Sequence, residues 1–429
     1  MESSDPVKPS AWRRALALTA LVVAGETIFF LPFVLARVFR PTILDVFQLS
    51  NLELGSAFAL YGVVAMVAYF LGGPLADRFS PRRLISIALV TTALGGLLMA
   101  TIPGLGALKL LYAYWGFTTI ALFWSALIRA TREWGGERAQ GSAFGLLDGG
   151  RGLLTALTGS MMVALYASFM PEEVESAALA VRAAALRNVI GLFAAMTFAA
   201  AVLVWFALPR HHKPDQNRNH GSSLEGIRRV LGMPNVWIQS FIILCAYVGF
   251  KATDDFSLYA KDVLGLNEVE AARAGTVSLW VRPIAAVGAG LLADRLSAGL
   301  MTMVSFVLVM AGSVVLASGV LTSGMVWPFL MAIVTASLGI FALRGLYYAI
   351  MEEGKVPLAF TGSAVGVVSV IGYTPDVFMG PLMGLLLDGA PGAQGHQHVF
   401  WVIAAFALAG LVASGVFLWR TRDRGVIDR

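Results

Sequence analysis

The sequence predicts an all-α membrane protein with twelve transmembrane helices in two related halves, and three observations carry that prediction. Of 429 residues, 58% are hydrophobic and 13% charged, with a mean hydropathy of +0.76. A soluble domain carries about 45–50% apolar and about 25% charged residues, so lipid must act as part of this chain's solvent. Apolar stretches near the length that crosses a bilayer core, about 20 residues, recur along the whole chain, without the alternation of barrel strands. Finally, short motifs repeat at nearly one offset. Leu-Ala-Asp-Arg stands at 75–78 and again at 292–295, and Gly-Ser-Ala-Phe-Gly at 141–145 is echoed by Gly-Ser-Ala-Val-Gly at 362–366.

Taken in order, the predicted spans lie near 15–36, 54–76, 83–102, 108–130, 141–168, 187–207, 236–260, 271–293, 300–320, 325–350, 360–386 and 398–419. The first exceeds the roughly 7–15-residue apolar region of a signal peptide. It also contains Glu26 and Arg37 and lacks a small-residue cleavage site, so it is read as helix 1. The second ends at Arg78, Arg82 and Arg83, and the fourth at Arg132 and Arg138. After the sixth comes PRHHKPDQNRNHGSSLEG (209–226), polar and without helical periodicity. The seventh holds Cys245, the sole cysteine, which allows no intrachain disulfide and offers no thiol chemistry. The twelfth is followed by Arg420, Arg422, Arg424 and Arg429.

Lysine and arginine gather on one side, since Lys8, Arg13 and Arg14 precede helix 1 and Arg210, Lys213, Arg218, Arg228 and Arg229 fill the central segment. The opposite loops hold Lys109, Arg182, Arg187, Lys261 and Arg273. By the positive-inside rule both termini are cytoplasmic in a bacterial-type inner membrane. The net charge of +5 is then a topology signal that calls for no nucleic-acid partner. The organisation expected is a six-helix bundle over 1–208, a cytoplasmic linker over 209–235 and a second bundle over 236–429. His211, His212 and His220 lack cysteine or carboxylate at ligand spacing, so neither metal nor cofactor is expected.

The segment GGPLADRFSPRRL (72–84), with its degenerate copy GAGLLADRLSAGL (288–300), resembles the loop 2–3 signature of the major facilitator superfamily. The resemblance covers the whole chain and implies the major facilitator fold. Asp77 at a helix end can accept hydrogen bonds and offset a neighbouring helix dipole. Arg78, Arg82 and Arg83 can pair with carboxylates that part and rejoin as the halves rock. This gives Asp77, Arg78 and Arg82 a gating role, copied in Asp294 and Arg295, although Arg82 and Arg83 read equally well as topology residues.

Helix 4 and its exit, WSALIRATREWGGER (124–138), are similar to the organophosphate:phosphate antiporter branch in the run Trp124, Arg129, Trp134, Glu137 and Arg138, with a final spacing two residues short. Asn235, Trp237, Tyr247, Lys251, Asp255 and Tyr259 match its helix 7, with Lys251 where the branch favours arginine, and Arg37 with Phe39 match its helix 1. Transporters of hexuronates and sugar acids share much of this pattern. The resemblance implies that cations on helices 1 and 7 face each other and hold an anion. Lys251 lies 14 residues beyond Trp237, about 21 Å along a helix and past mid-bilayer. Arg37 lies 22 residues beyond Ala15, about 33 Å along and near the far mouth.

Charges inside spans cost about 2.5–3.5 kcal/mol on insertion scales, which makes each a functional candidate. Lys251, Arg37, Arg129, Trp124, Tyr247 and Arg344 are the expected substrate-binding residues, with Arg129 and Arg344 equally open to a gating role. Glu26, an isolated carboxylate near the middle of helix 1, is expected to carry a proton or to pair with a cation. Asp148 and Asp376 are further proton candidates, and Asp148 shares a helix face with Arg151. Asp254 and Asp255, three and four residues on and so on the same helix face, are the alternative partners of Lys251, which would then only neutralise them. Arg282 stands near where the branch has an acid. His396 and His398 fall in the last far-side loop.

No phosphate-binding Gly-x4-Gly-Lys-Ser/Thr loop and no catalytic nucleophile set is present, which argues against an ATP-driven pump or an enzyme. The function expected is secondary active transport of a small organic anion (phosphorylated, sulfonated or carboxylated), with antiport or proton symport, by a monomer in the lipid bilayer. The alternative is proton-coupled export of neutral or cationic compounds.

Overall fold

The computed structural model describes residues 11–136, 140–209, 228–293, 297–346 and 361–422. These form α1 (Ala11–Val38, continued by Arg40–Phe47), α2 (Asn51–Arg78), α3 (Pro81–Ala100), α4 (Leu105–Gly135), α5 (Gln140–Ser168) and α6 (Leu179–Ala207). They continue with α7 (Pro234–Asp254, extended by Phe256–Asp262), α8 (Glu268–Ala293), α9 (Ala298–Ala317), α10 (Val326–Leu346), α11 (Thr361–Gly372 and Pro375–Gly389) and α12 (Ala393–Arg422). Eleven helices among the described residues have the length and apolarity to cross a membrane. The remaining helix, α5, is 29 residues long, and Asp148, Arg151 and its glycines interrupt its apolar run. The histidines at 396 and 398 are not in a loop: α12 begins at Ala393 and carries both in its first turns.

Local chemistry sets the helix ends. Ser50 accepts from the Glu53 amide, and Glu53 reaches back to the Ser50 amide, a capping box that starts α2. Pro81 opens α3, and Asn267 accepts from the amides of Val269 and Glu270 to start α8. Among the described residues, irregular turns inside spans include π-turns at Phe30–Val34 of α1 and Thr118–Trp124 of α4, a 3₁₀ turn at Ala252–Asp254 of α7 and the break between Gly372 and Pro375 of α11. Such irregular turns re-aim side chains and collect at functional sites.

The helices make two six-helix bundles, the arrangement of the major facilitator fold. One core fills α7–α12 around Phe306, Phe329, Phe341 and Phe400. In α1–α6 one core lies toward the termini around Leu89, Phe123 and Val204. The other lies toward the far end around Phe30, Tyr112, Trp115 and Phe193. Val269, Ala272 and Leu279 of α8 join this far core, so the bundles share packing at the end away from the termini. On the outside, Phe206, Trp327 and Ile284 are exposed, as lipid-facing positions are.

The bundles meet along α2 with α11 and along α5 with α8. At the far end a Cβ on Gly55 would strike the backbone of Gly380, and one on Gly384 would strike Leu52, a small-residue approach of two backbones. Gly380→Leu should therefore hold these ends apart. In a Cys245→Ser background, a cysteine at Leu52 should react several-fold faster with a soluble thiol reagent in the Gly380→Leu protein. An unchanged rate would show that α11 yields without parting from α2.

Candidate functional site

Lys251 ends the regular part of α7, and the 3₁₀ turn after it swings the next residues toward the other bundle. Its ammonium lies 2.7 Å from Asp376 of α11 and 3.8 Å from Asp254. The Tyr247 hydroxyl donates to Asp376 at 3.0 Å from one oxygen and 3.2 Å from the other. From the first bundle, Arg37 brings Nε and Nη2 within 2.9 and 2.8 Å of Asp254 Oδ1. Arg37 and Arg344 then set their guanidinium carbons 4.6 and 4.1 Å from the centroid of the Phe250 ring. Lys251 also faces the rings of Phe33 and Tyr247. Phe33 packs edge-on to Tyr61, and Tyr373 joins Tyr247 to Tyr69. The site is a group of cations from both bundles, with Arg37 and Lys251 buried and held by two carboxylates, Arg344 partly buried beside them, and aromatic faces around all three.

Arg37 is thus at the level of Lys251, not at the far mouth. Helical side chains lean toward the N-terminus, which for α1 points back into the span, and a guanidinium reaches far along that direction. Asp255, expected to share the Lys251 face, does not touch it. The 3₁₀ turn ends at Asp254 and a new helix starts at Phe256, so Asp255 is rotated to His396 Nδ1 at 2.7 Å.

Glu26 is not isolated. Its buried carboxylate takes Arg151 Nε and Arg282 Nη1, each at 3.1 Å, and the Thr155 hydroxyl at 2.5 Å. Asp148 lies 3.5 Å from both Arg151 Nη1 and Arg282 Nη2. Arg282, where the branch resemblance led to an acid, is the link that α8 sends into the first bundle. An unpaired charge at this depth would be expensive, and α1, α5 and α8 jointly supply the compensation. Trp124 borders this cluster, 5.8 Å from the Arg151 guanidinium and packed on Phe29.

Arg129 is placed elsewhere, bonded to Glu133 and to the Ala76 carbonyl, with Asp77 at 4.0 Å. It ties the end of α4 to the end of α2. Arg78 lies over Phe79 and Arg82 stacks on Trp205 at 4.3 Å. Asp294 and Arg295 lie outside the described residues, as do Glu137, Arg138 and residues 210–227 of the linker.

The far end carries a charged cluster that the sequence reading used only to count loop charges. Glu268, at the start of α8, accepts from Arg182 at 2.8 Å, from Tyr166 at 2.9 Å and from Thr42 at 3.1 Å. Asp45 sits 2.9 Å from Lys261 and 3.3 Å from Arg182. Asp388, at the end of α11, accepts from the Asn51 and Leu52 amides at 3.0 and 2.8 Å, and so caps α2 from the other bundle. A cavity of about 280 Å³ opens beside Glu175, Arg182, Lys261 and Glu268. The available signal was that Arg182 and Lys261 were cations on the side that holds few. Among the described residues, no group of three His, Cys, Asp or Glu side chains is arranged to hold a metal.

The model of the Major Facilitator Superfamily matches residues 16–377. The inner membrane protein YqcE of Escherichia coli (strain K12) is 27% identical over 416 residues, covering 95% of each chain. The inner membrane protein YihN of the same organism is 24% identical over 94% of this chain and 95% of its own. Among solved structures, the nucleoside transporter NupG superposes with a TM-score of 0.72 at 12% identity over 94% of this chain and 99% of its own. A bacterial homolog of the human lysosomal transporter Spinster, inward-facing and unoccupied, gives 0.70 at 18% identity over 96% and 98%. At such identities these structures share the fold.

Proposed function

Since the chain belongs to the Major Facilitator Superfamily and is a membrane transporter, we propose that it carries a small organic anion across the membrane by alternating access, as an antiporter or a proton symporter. The observation that supports this is the meeting of Arg37, from one bundle, with Lys251 and Arg344, from the other, around Phe250 and the carboxylates of Asp254 and Asp376. An oxyanion entering between the bundles replaces Asp376 on Lys251 and Asp254 on Arg37. Occupancy is then felt by both bundles, as alternating access requires. Tyr247 holds Asp376 when the ammonium turns to the ligand. The bundles, 1–208 and 236–429, rock about the linker at 209–235. Asp77 and Arg129 with Arg78 and Arg82 act at the termini side, together with Asp294 and Arg295. With both termini cytoplasmic in a bacterial-type inner membrane, the closed far end is the periplasmic one.

The test is a thermal-shift screen of the detergent-purified protein against phosphorylated, sulfonated and carboxylated metabolites. At least one anion should stabilise the protein in a concentration-dependent way, and the shift should vanish in Lys251→Ala. A second reading, export of neutral or cationic compounds, draws on the rings of Tyr69, Tyr247 and Tyr373 beside Asp376, which suit a cation. Stabilisation by lipophilic cations, with none by any anion, would favour it.

A further inference from the structure

His396, Asp255 and Asp262 form a group that no step above uses. The imidazole is 1% exposed and the Asp255 side chain 0%, while the Asp262 side chain is 34% exposed. Nδ1 lies 2.7 Å from Asp255 Oδ2, and Nε2 lies 3.3 Å from Asp262 Oδ2. A neutral imidazole has a single N–H, yet each ring nitrogen faces a carboxylate, so filling both contacts takes one proton more. The other oxygen of Asp255 is buried and has no hydrogen-bond partner among the described residues. Among the described residues, the charged groups on the ring are these two acids. Tyr259 lays its ring edge-on at 5.2 Å and sends its hydroxyl to the Leu316 carbonyl.

The position of the group matters as much as its chemistry. Asp255 follows Asp254, which holds Arg37 and Lys251 in the central site. Phe256–Asp262, the segment that follows Asp255 and ends on Asp262, also carries groups that help close the far end. Ser257 donates to the Arg37 carbonyl at 2.9 Å, and Lys261 pairs with Asp45 across the bundles. Among the described residues, α12 grips this segment through His396, while Glu268 of α8 lies 3.6 Å from Lys261.

We propose that His396, with Asp255 and Asp262, is the coupling-proton site. A proton enters from far-side water at Asp262 and is taken by the imidazole. The imidazolium, held between two carboxylates, then pins Phe256–Asp262 to α12 in the position that closes the far end. Loss of the proton leaves two carboxylates against a neutral ring, frees the segment and lets the far end open. The word coupling rests on the transport reading, while the proton-linked closure is measured without any substrate.

The experiment places spin labels on cysteines at Gly104 and Thr322, exposed far-end positions in the two bundles, in a Cys245→Ser background. Their separation is measured by pulsed electron resonance between about pH 5.5 and 10, a window that includes the ordinary imidazole range and the range beyond it. The parent protein should shift from short to long separations as pH rises, and both His396→Gln and Asp255→Asn should abolish that shift. Should either buried variant misfold, Asp262→Asn, at the partly exposed end, should still move the midpoint of the transition. A pH response surviving in His396→Gln, an unmoved midpoint in Asp262→Asn, or no response in the parent protein overturns the assignment. An anion that stabilises the protein while the pH response is absent would leave the transport reading intact and sink only this one.

Discussion

Glu26→Ala is expected to destabilise the protein by about 3–5 kcal/mol, the cost of removing one partner from a buried ion pair. The Glu26 side chain is 4% exposed and answers two guanidiniums, themselves 8% and 9% exposed. Without it, Asp148 is the one carboxylate left to Arg151 and Arg282 among the described residues, 35% exposed and 3.5 Å from each. Equilibrium unfolding of the detergent-solubilised protein measures the loss. Arg282→Met in the same chain should recover part of it, because the second substitution removes a charge that the first left stranded. Strict additivity of the two effects would show that the pair is not coupled. Glu26 and Arg282 come from different bundles, so this pair also holds α1 to α8.

If the proposed anion transport holds, Lys251→Ala is expected to weaken binding of the anion by about 1.5–3 kcal/mol, the range for a hydrogen bond to a charged group, or roughly ten- to 150-fold in Kd. Lys251→Arg should keep part of the affinity and shift preference from carboxylate toward phosphate, because the guanidinium fork fits phosphate in a bidentate way. A competing role for Lys251 is simply to neutralise Asp376, 2.7 Å away. Lys251→Ala combined with Asp376→Ala separates the two. Wild-type affinity in that double variant would retire Lys251 as a ligand.

The fold is legible because a bilayer writes a local rule: each span must be about 20 apolar residues long, and each can be read without knowing its neighbours. The least apolar span, α5, is the one that carries Asp148 and Arg151, and there the rule and the site pull against each other. Lys251 and Glu26 stand out for the same reason, as charges where charge is costly. Which residues they pair with across the bundles does not stand out. Arg37 and Asp254 are 217 residues apart, and Glu26 and Arg282 are 256 apart, and no local rule carries helix rotation across such gaps. The turn at Ala252–Asp254 leaves composition unchanged but breaks the i, i+4 logic that had placed Asp255 with Lys251. Arg182, Lys261 and Asp388 sit among ordinary loop-end residues, and their roles exist only once the two bundles touch.

The far-end contacts also bear on which way the protein works. Asp388 is exposed where it caps α2, and the side chains of Asp45 and Lys261 are 40% and 31% exposed. When such groups part, water takes over their hydrogen bonds, so each contact adds only about 0–1 kcal/mol to the closed form. These outer contacts part at little cost and give little preference for either conformer. The direction of net flux is then set by solute and ion gradients, and reversing those gradients should reverse the flux through the same pathway.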